Sequence, residues 1–340
     1  MSATDQLTVA CLGAGYFSQF HYDAWSRIEG VRTVGSADLN IAAARATGLP
    51  AFGSLGAMLE AAVPDILDII LPPPGHASAV RTAIAAGVRT VICQKPFCLD
   101  LAEAQQIVEE ADKAGVTLVV HENFRFMPWY RAIRSQIKEG RIGTPMQATF
   151  RLRPGDGQGP DAYLDRQPYF QQMPRFLIHE TGVHWVDTFR FIFGDPTAVY
   201  ADLRQLNPVI SGEDAGMVLF DHPGGVRTLL DGNRLSDHAA DNLRRTMGEA
   251  LFEGTTGSLS LAGDGSVSFR AFGSDICEEV LGPDPWPGFG GDCVFHLQSH
   301  VVDCLRRGKT PENTAADYLT VIRVRDAIYA SAEQGRKVSM

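Results

Sequence analysis

The feature that most constrains this chain is a regular alternation of short apolar runs and amphipathic segments across its first third. Leu7-Thr8-Val9-Ala10-Cys11-Leu12 reads as a strand, and Gly13-Ala14-Gly15-Tyr16-Phe17-Ser18 follows it at once. An amphipathic helix then extends to about Ile28, and a second strand, from Arg32 to Ala37, ends at Asp38. Asp65 to Leu71 is another strand, stopping in Pro72-Pro73-Pro74-Gly75-His76. A helix over about Ala77 to Ala86 leads to Thr90-Val91-Ile92-Cys93-Gln94, closed by Lys95-Pro96. A further helix, Leu101 to Ala114, precedes Val116 to His121. Short β-branched runs separated by helical patterns predict buried parallel strands joined by crossover helices. Proline cannot extend a hydrogen-bonded ladder, so Lys95-Pro96 marks a strand end.

In an open α/β sheet, ligands sit at the carboxyl ends of the strands. That edge here collects Asp38, His76, Lys95 and then His121-Glu122-Asn123. Gly13 permits a tight turn after the first strand, and Gly15 lets backbone N–H groups approach a pyrophosphate at a helix N-terminus. Tyr16 and Phe17 complete that turn, and Ser18 stands where the dinucleotide fingerprint has its third glycine. Asp38 suits the ribose hydroxyls and would repel a 2′-phosphate; no arginine follows it in Leu39-Asn40, so NAD is favoured over NADP. Pro72, His76, Gln94, Lys95 and Asn123 join this cofactor edge. Two local alternatives stay open. The glycine turn alone is also compatible with a plain βα connection, and His76 with a turn cap.

With 340 residues the chain suits two domains, here divided as 1–124 and 125–340. Its 45% apolar and 21% charged residues are ordinary globular usage. A net charge of −10 argues against a nucleic-acid partner. No apolar run approaches the roughly 18 residues of a membrane span. Met1 to Gln6 carry no basic region or signal core. The six cysteines form no Cys-x-x-Cys pair and read as small buried hydrophobes in a reducing cytoplasm. A cytoplasmic protein with a small-molecule substrate is expected.

A second cluster lies at Phe176-Leu177-Ile178-His179-Glu180-Thr181-Gly182-Val183-His184-Trp185-Val186-Asp187. A zinc-peptidase helix needs histidines four apart, and His179 and His184 are five apart, so no metal is assigned. Glu180, His184 and Asp187, at i, i+4 and i+7, would share one face of an α-helix. Asp187 is compatible with no more than support of His184, and His179 with a structural role. The Gly/Pro-rich stretch Arg153 to Pro160 leads into Tyr163, Arg166, Tyr169 and Arg175, a mixture of donors and rings that suits a polyol. Arg125, Tyr163, Arg175 and Trp286 are the substrate candidates. A solvated loop, or for Trp286 simple packing, is the alternative.

These motifs together resemble the glucose–fructose oxidoreductase / inositol dehydrogenase (Gfo/Idh/MocA) family. The matching residues are Gly13-x-Gly15, the Pro72 to His76 turn, Lys95-Pro96, and Asn123-Phe124-Arg125-Phe126 with Pro128. Gly140-Arg141-Ile142-Gly143-Thr144-Pro145 and the helix around Tyr318 to Ala332 also fit. The resemblance implies an N-terminal Rossmann domain, doubly wound about a parallel sheet. It also implies a C-terminal α+β domain whose open antiparallel sheet carries a homodimer or homotetramer interface. It places Lys95 beside the nicotinamide and substrate, makes His184 the catalytic base, and puts Glu180 at the family's aspartate. The family glutamate before the lysine is replaced by Gln94, which removes a charge and is expected to bear on the working pH. The local variants around Lys95 and His184 look similar to a branch of aldose dehydrogenases acting on sugars such as D-apiose. The activity implied is NAD-dependent oxidation of an aldose at C1 to an aldonolactone. Inositol or polyol oxidation, NAD-using glycosidase chemistry and non-catalytic NAD sensing remain as alternatives.

Overall fold

The structure, a computed structural model, describes residues 6–340. The reading of Met1 to Asp5 therefore lies outside the described residues. The chain divides into two compact units, residues 1–123 with 294–322, and residues 124–293 with 323–340.

The first unit opens with β1 (Leu7–Leu12), α1 (Ser18–Arg27), β2 (Val31–Ala37), α2 (Ile41–Ala46), β3 (Ala51–Phe52) and α3 (Leu55–Ala61). It continues through β4 (Ile66–Ile69), α4 (His76–Ala85), β5 (Thr90–Gln94), α5 (Leu101–Lys113) and β6 (Thr117–His121). All six strands are parallel, in the order β3-β2-β1-β4-β5-β6. β4 and β5 are buried along their whole length, as expected of strands covered on both faces. The order reverses beside β1, the switch point at which doubly wound sheets hold their ligands. Gly13, with φ +109°, lies directly after β1, where an added Cβ would fall 2.5 Å from the Ile70 carbonyl oxygen.

In the second unit come α6 (Pro128–Lys138), β7 (Pro145–Leu152), α7 (Val183–Phe193), β8 (Ala198–Arg204), β9 (Ala215–Asp221) and β10 (Arg227–Asn233). β11 (Gly248–Gly254), β12 (Gly257–Leu261), β13 (Val267–Ala271) and β14 (Cys277–Leu281) follow, and after α8 (Cys293–Arg306) and the start of α9 (Ala315–Gln334), which beyond Cys293 belong to the first unit, the rest of α9 and β15 (Val338–Ser339) return to the second. Nine strands form one sheet, β14-β13-β12-β11-β7-β10-β9-β8-β15. It is mixed rather than wholly antiparallel, because β10 runs parallel to the central β7 while β11 flanks β7 antiparallel. Burial alternates along these strands, and the inward set packs on α7: Trp185 lies 4.3 Å from Phe150 and Phe189 5.7 Å from Phe220.

A single division after residue 124 fails for a physical reason. Residues 294–322 return to the first unit, where Val120 N–H donates to the Asn313 carbonyl and the chain bridges Val119 to Thr314. This backbone contact covers the edge strand β6, whose ladder groups would otherwise be exposed. Among the described residues, no helix is long and apolar enough to cross a membrane.

Candidate active site

The strand ends of the first unit carry the cofactor candidates. Asp38, half-buried after β2, accepts from Ala14 N (2.8 Å) and Asn40 N (2.7 Å), so its carboxylate shapes the glycine turn. Further lone-pair positions on the same oxygens suit ribose hydroxyls. Tyr16 is exposed, and Phe17 packs on Phe20 and on the ring of His21. No side chain caps the N-terminus of α1. A Cβ at Gly15 would meet nothing within 4 Å, so packing within the protein does not demand a glycine there. Asn123 is buried, and its Nδ2 has no hydrogen-bond partner among the described residues. Open space at the turn, an uncapped helix start and a buried unused amide donor together fit a dinucleotide.

Two members of this set differ from expectation. His76 is fully buried, donating from Nε2 to the Leu71 carbonyl (2.7 Å) and accepting at Nδ1 from Cys98 N (3.3 Å). Both ring nitrogens tie the turn after β4 to the segment after Lys95, so the side chain braces that turn, the alternative its sequence left open. Burial holds its pKa down to about 4, keeping the ring neutral. Gln94 is buried beneath Lys95. Its Oε1 accepts from Lys95 N (2.8 Å) and its Nε2 faces His21 Nε2 (3.0 Å). Lys95 itself is half-buried at the end of β5, and Pro72 is exposed at the start of its turn.

In the second unit, the segment before α7 is a π-helical turn, Leu177–Gly182. Such turns widen the helix and recur at functional sites. The widened turn takes Glu180 out of the α-helical i, i+4 spacing to His184, while His184 and Asp187 keep helical spacing within α7. His184 is buried with its ring stacked on Phe124, the centroids 3.7 Å apart and the planes 1° from parallel. Phe289 packs on the same phenyl ring at 6.2 Å. Glu180 accepts at Oε2 from the Thr181 hydroxyl (2.5 Å) and lies 3.9 Å from the Arg234 guanidinium. Asp187 instead holds Arg125 in a two-point fork of 2.8 and 2.5 Å, with both side chains buried. Arg125 is therefore held in place by its pairing with Asp187.

The loop candidates also resolve. Tyr163, with φ +70°, is buried; its hydroxyl donates to Asp156 (3.2 Å) and accepts from Arg234 Nε (2.8 Å). Arg234 further donates to Asp156 Oδ2 (2.8 Å) and Thr181 Oγ1 (2.6 Å), and its cation lies 4.8 Å from the Phe176 ring. Burial alone would raise the Asp156 pKa, but the charges of Arg234 and Arg166 outweigh it and hold the carboxyl below its usual range. Tyr163 thus belongs to an internal cluster that supports Glu180 through Thr181. Arg175 is half exposed, 3.6 Å from Glu333 and over the Tyr329 ring, remote from that cluster in its contacts. The Trp286 ring packs edge-on against Trp129. His179 meets Arg325 at 3.4 Å. No group of metal-ligating side chains occurs among the described residues.

A family model described as an oxidoreductase family with an NAD-binding Rossmann fold matches residues 7–122, and the GFO/IDH/MocA C-terminal domain matches 130–260. The chain belongs to the Gfo/Idh/MocA oxidoreductase family. Its relatives include a D-apiose dehydrogenase from Paraburkholderia graminis, 34% identical over all of this chain and 95% of that protein. An inositol 2-dehydrogenase from Rhizobium meliloti is 27% identical, covering 97% and 98%. An oxidoreductase from Agrobacterium radiobacter, solved with NAD+, L-tartaric acid and magnesium, superposes with a TM-score of 0.89 at 27% identity over 98% of each chain. The first unit is accordingly an NAD-binding domain, and the protein is an oxidoreductase of the class acting on CH–OH donors.

Two glycines of that domain separate stability from binding. Gly13→Ala places a Cβ against the Ile70 carbonyl at a strained φ, and thermal melting should fall by several degrees. Gly15→Ala should leave melting within about a degree of native and weaken NAD binding at least tenfold by fluorescence titration. Equal loss of stability in both would contradict the distinction. The neutral His76 sets an acid limit. Below its ordinary 6.5 the unfolded chain takes up a proton that the folded ring refuses until about 4, so stability falls as pH drops through that window. The contribution is about 3 kcal/mol at most. Urea midpoints measured from pH 7 to 4 should fall less steeply in His76→Gln.

Proposed function

We propose that this protein is an NAD-dependent sugar dehydrogenase that oxidises C1 of an aldose, with a branched pentose such as D-apiose as the leading substrate, to the aldonolactone. The observation that carries the reading is His184, a buried imidazole fixed face-to-face on Phe124 beside a helix turn that presents Glu180. The full-length similarity to a D-apiose dehydrogenase supports the choice of sugar.

Oxidation of a carbinol requires its hydroxyl to lose a proton as its C–H leaves with two electrons. NAD, when bound, accepts that hydride. Histidine changes protonation near neutral pH and is suited to take the hydroxyl proton. The stack on Phe124 leaves the ring little rotational choice, so its nitrogens are aimed in advance. Lys95 supplies positive charge to the oxygen as negative charge develops on it. Glu180, held by Thr181, accepts from a sugar hydroxyl. A cytoplasmic location is part of this proposal.

An absorbance screen for NADH across aldoses, polyols and inositols tests the reading. D-Apiose or another aldose should give stoichiometric NADH and lactone; His184→Ala and Lys95→Ala should each lower kcat by about a hundredfold or more. Turnover confined to inositols would move the assignment to a polyol dehydrogenase. Product without net NADH would indicate the glycosidase chemistry, and NAD binding without any turnover a sensor.

We propose further that the protein is a homo-oligomer through the outer face of the nine-stranded sheet. Cross-strand registry aligns Leu251, Thr149, Leu229, Leu219 and Tyr200 in one row across five strands. The charged rows on either side are already paired within the sheet, as in Arg227–Asp221 and Arg151–Glu249, so a second copy can cover the row without stranding a charge. Light scattering should give a dimer or tetramer that Leu251→Lys with Tyr200→Lys reduces to a monomer. A native monomer, or a variant of unchanged mass, would rule the interface out.

A further inference from the structure

Asp68 sits within β4 with no exposed surface, an expensive place for a carboxylate. One of its oxygens, Oδ2, accepts from Trp25 Nε1 (2.7 Å), from Gln298 Nε2 (3.2 Å) and from His21 Nδ1 (2.8 Å). A carboxylate oxygen can only accept, so the nitrogen facing it, Nδ1, carries the ring's hydrogen, and in a neutral ring Nε2 is an acceptor. The atom opposite it is Nε2 of Gln94, at 3.0 Å. The amide cannot be turned round, because its Oε1 accepts from the backbone N–H of Lys95, which can only donate. The result is an unbroken line from Lys95 N–H through Gln94 and His21 to Asp68, in which every donor meets an acceptor.

We propose that Gln94 is a positioning residue for Lys95, and that position 94 must be an amide because it has to accept from the Lys95 backbone while donating to His21. The proposal rests on the dehydrogenase reading only in taking Lys95 as a working residue. A glutamate at 94 can still accept from Lys95 but has no hydrogen for His21 Nε2. The line then closes only by taking up one proton, on the carboxyl group or on the ring. Around His21 stand Asp68 of β4, Gln94 of β5, the ring of His121 of β6 at 4.2 Å, Phe17 and Trp25 of its own helical region, and Gln298 of α8 through Asp68. Cys11 and Cys93 flank Asp68 in register on β1 and near it on β5, and burial pushes both thiols above their ordinary range. The new charge in the variant is the glutamate's own, and the proton taken up balances it, returning the cluster to its native net charge.

The test is nitrogen NMR of the histidine rings in the full chain, with and without NAD, alongside pH profiles of turnover. At about pH 7.5 native His21 should carry its proton on Nδ1 and none on Nε2. Gln94→Glu should show a proton-uptake step at the His21 ring or at residue 94 that the native chain lacks. Its kcat should gain a matching ionisation and fall at least tenfold on the alkaline side, with the sugar KM changing less than threefold. Gln94→Met should lower kcat evenly across pH. A native His21 ring protonated on Nε2 alone overturns the proposal even if no variant folds. So does a Gln94→Glu profile that superposes on the native one. The ring spectrum needs no substrate, so a correct tautomer with no turnover on any sugar would sink the dehydrogenase reading and leave the hydrogen-bonded line standing.

Discussion

Burying a carboxylate inside a parallel sheet is unfavourable unless donors reach it, and in the first unit the donors gathered on Oδ2 of Asp68, with none on Oδ1 among the described residues, organise much of the surrounding structure. Asp68 draws Trp25 and His21 from α1 and Gln298 from α8 onto one oxygen. It thereby fixes where the first helix lies against β4 and why a segment far along the chain returns to this unit. The same demand sets the tautomer of His21, and through it the identity of residue 94 at the end of β5. An apolar residue at 68 would pack the sheet as well, but it would not relay any constraint to the backbone of Lys95. The cost of the buried charge is offset by donors that leave the strand ends with little freedom.

The second unit uses a buried cation in the same way. Arg234 is enclosed by Phe176 and Tyr163, with Asp156 as its fork partner. Removing Asp156 would leave that charge uncompensated, so the Gly/Pro-rich loop that carries Asp156 and Tyr163 is held down by electrostatics as well as by packing. One arm of the guanidinium reaches Thr181, whose hydroxyl passes its own proton toward Glu180. Glu180 is therefore oriented by a chain of donors anchored in the core, and the widened π turn is what lets it lean that way while His184 turns to Phe124.

The parallel strands and the edge that collects the polar residues were legible in the sequence because period, glycine and proline placement, and an acid closing β2 all point the same way. β1, β2, β4, β5 and β6 lie within a residue or two of where alternation puts them, with Gly13, Asp38 and Lys95 at strand ends, whereas the two-residue β3 (Ala51–Phe52) is too short to show a period. What escaped was whatever depends on partners distant in the chain. An aspartate in the middle of Ile66-Leu67-Asp68-Ile69 is itself a visible signal of a buried polar network, but nothing local names Gln298 as its partner. The return of residues 294–322, the parallel pairing of β10 with β7, and the commitment of Arg125 to Asp187 are likewise long-range choices. The π turn hid for a different reason: a helical wheel drawn at the ordinary period assumes the register that the turn breaks.

Those corrections narrow how a sugar can be told apart. Arg125, Tyr163 and Arg175 carry most of the donors that composition would assign to polyol hydroxyls, and each is engaged elsewhere in the unit. In the proposed reading, selectivity among sugars falls to fewer groups held more tightly: the His184 ring, the Glu180 carboxylate, and the rings of Phe124 and Phe289. A small set of preoriented acceptors discriminates strongly, because a substrate lacking the matching hydroxyl leaves a buried acceptor without its donor. Aromatic faces add little choice among sugars of one size, since they meet C–H bonds common to all of them. A pocket of this kind separates substrates by where their hydroxyls point rather than by how many they have, which is the distinction that sets one pentose apart from another.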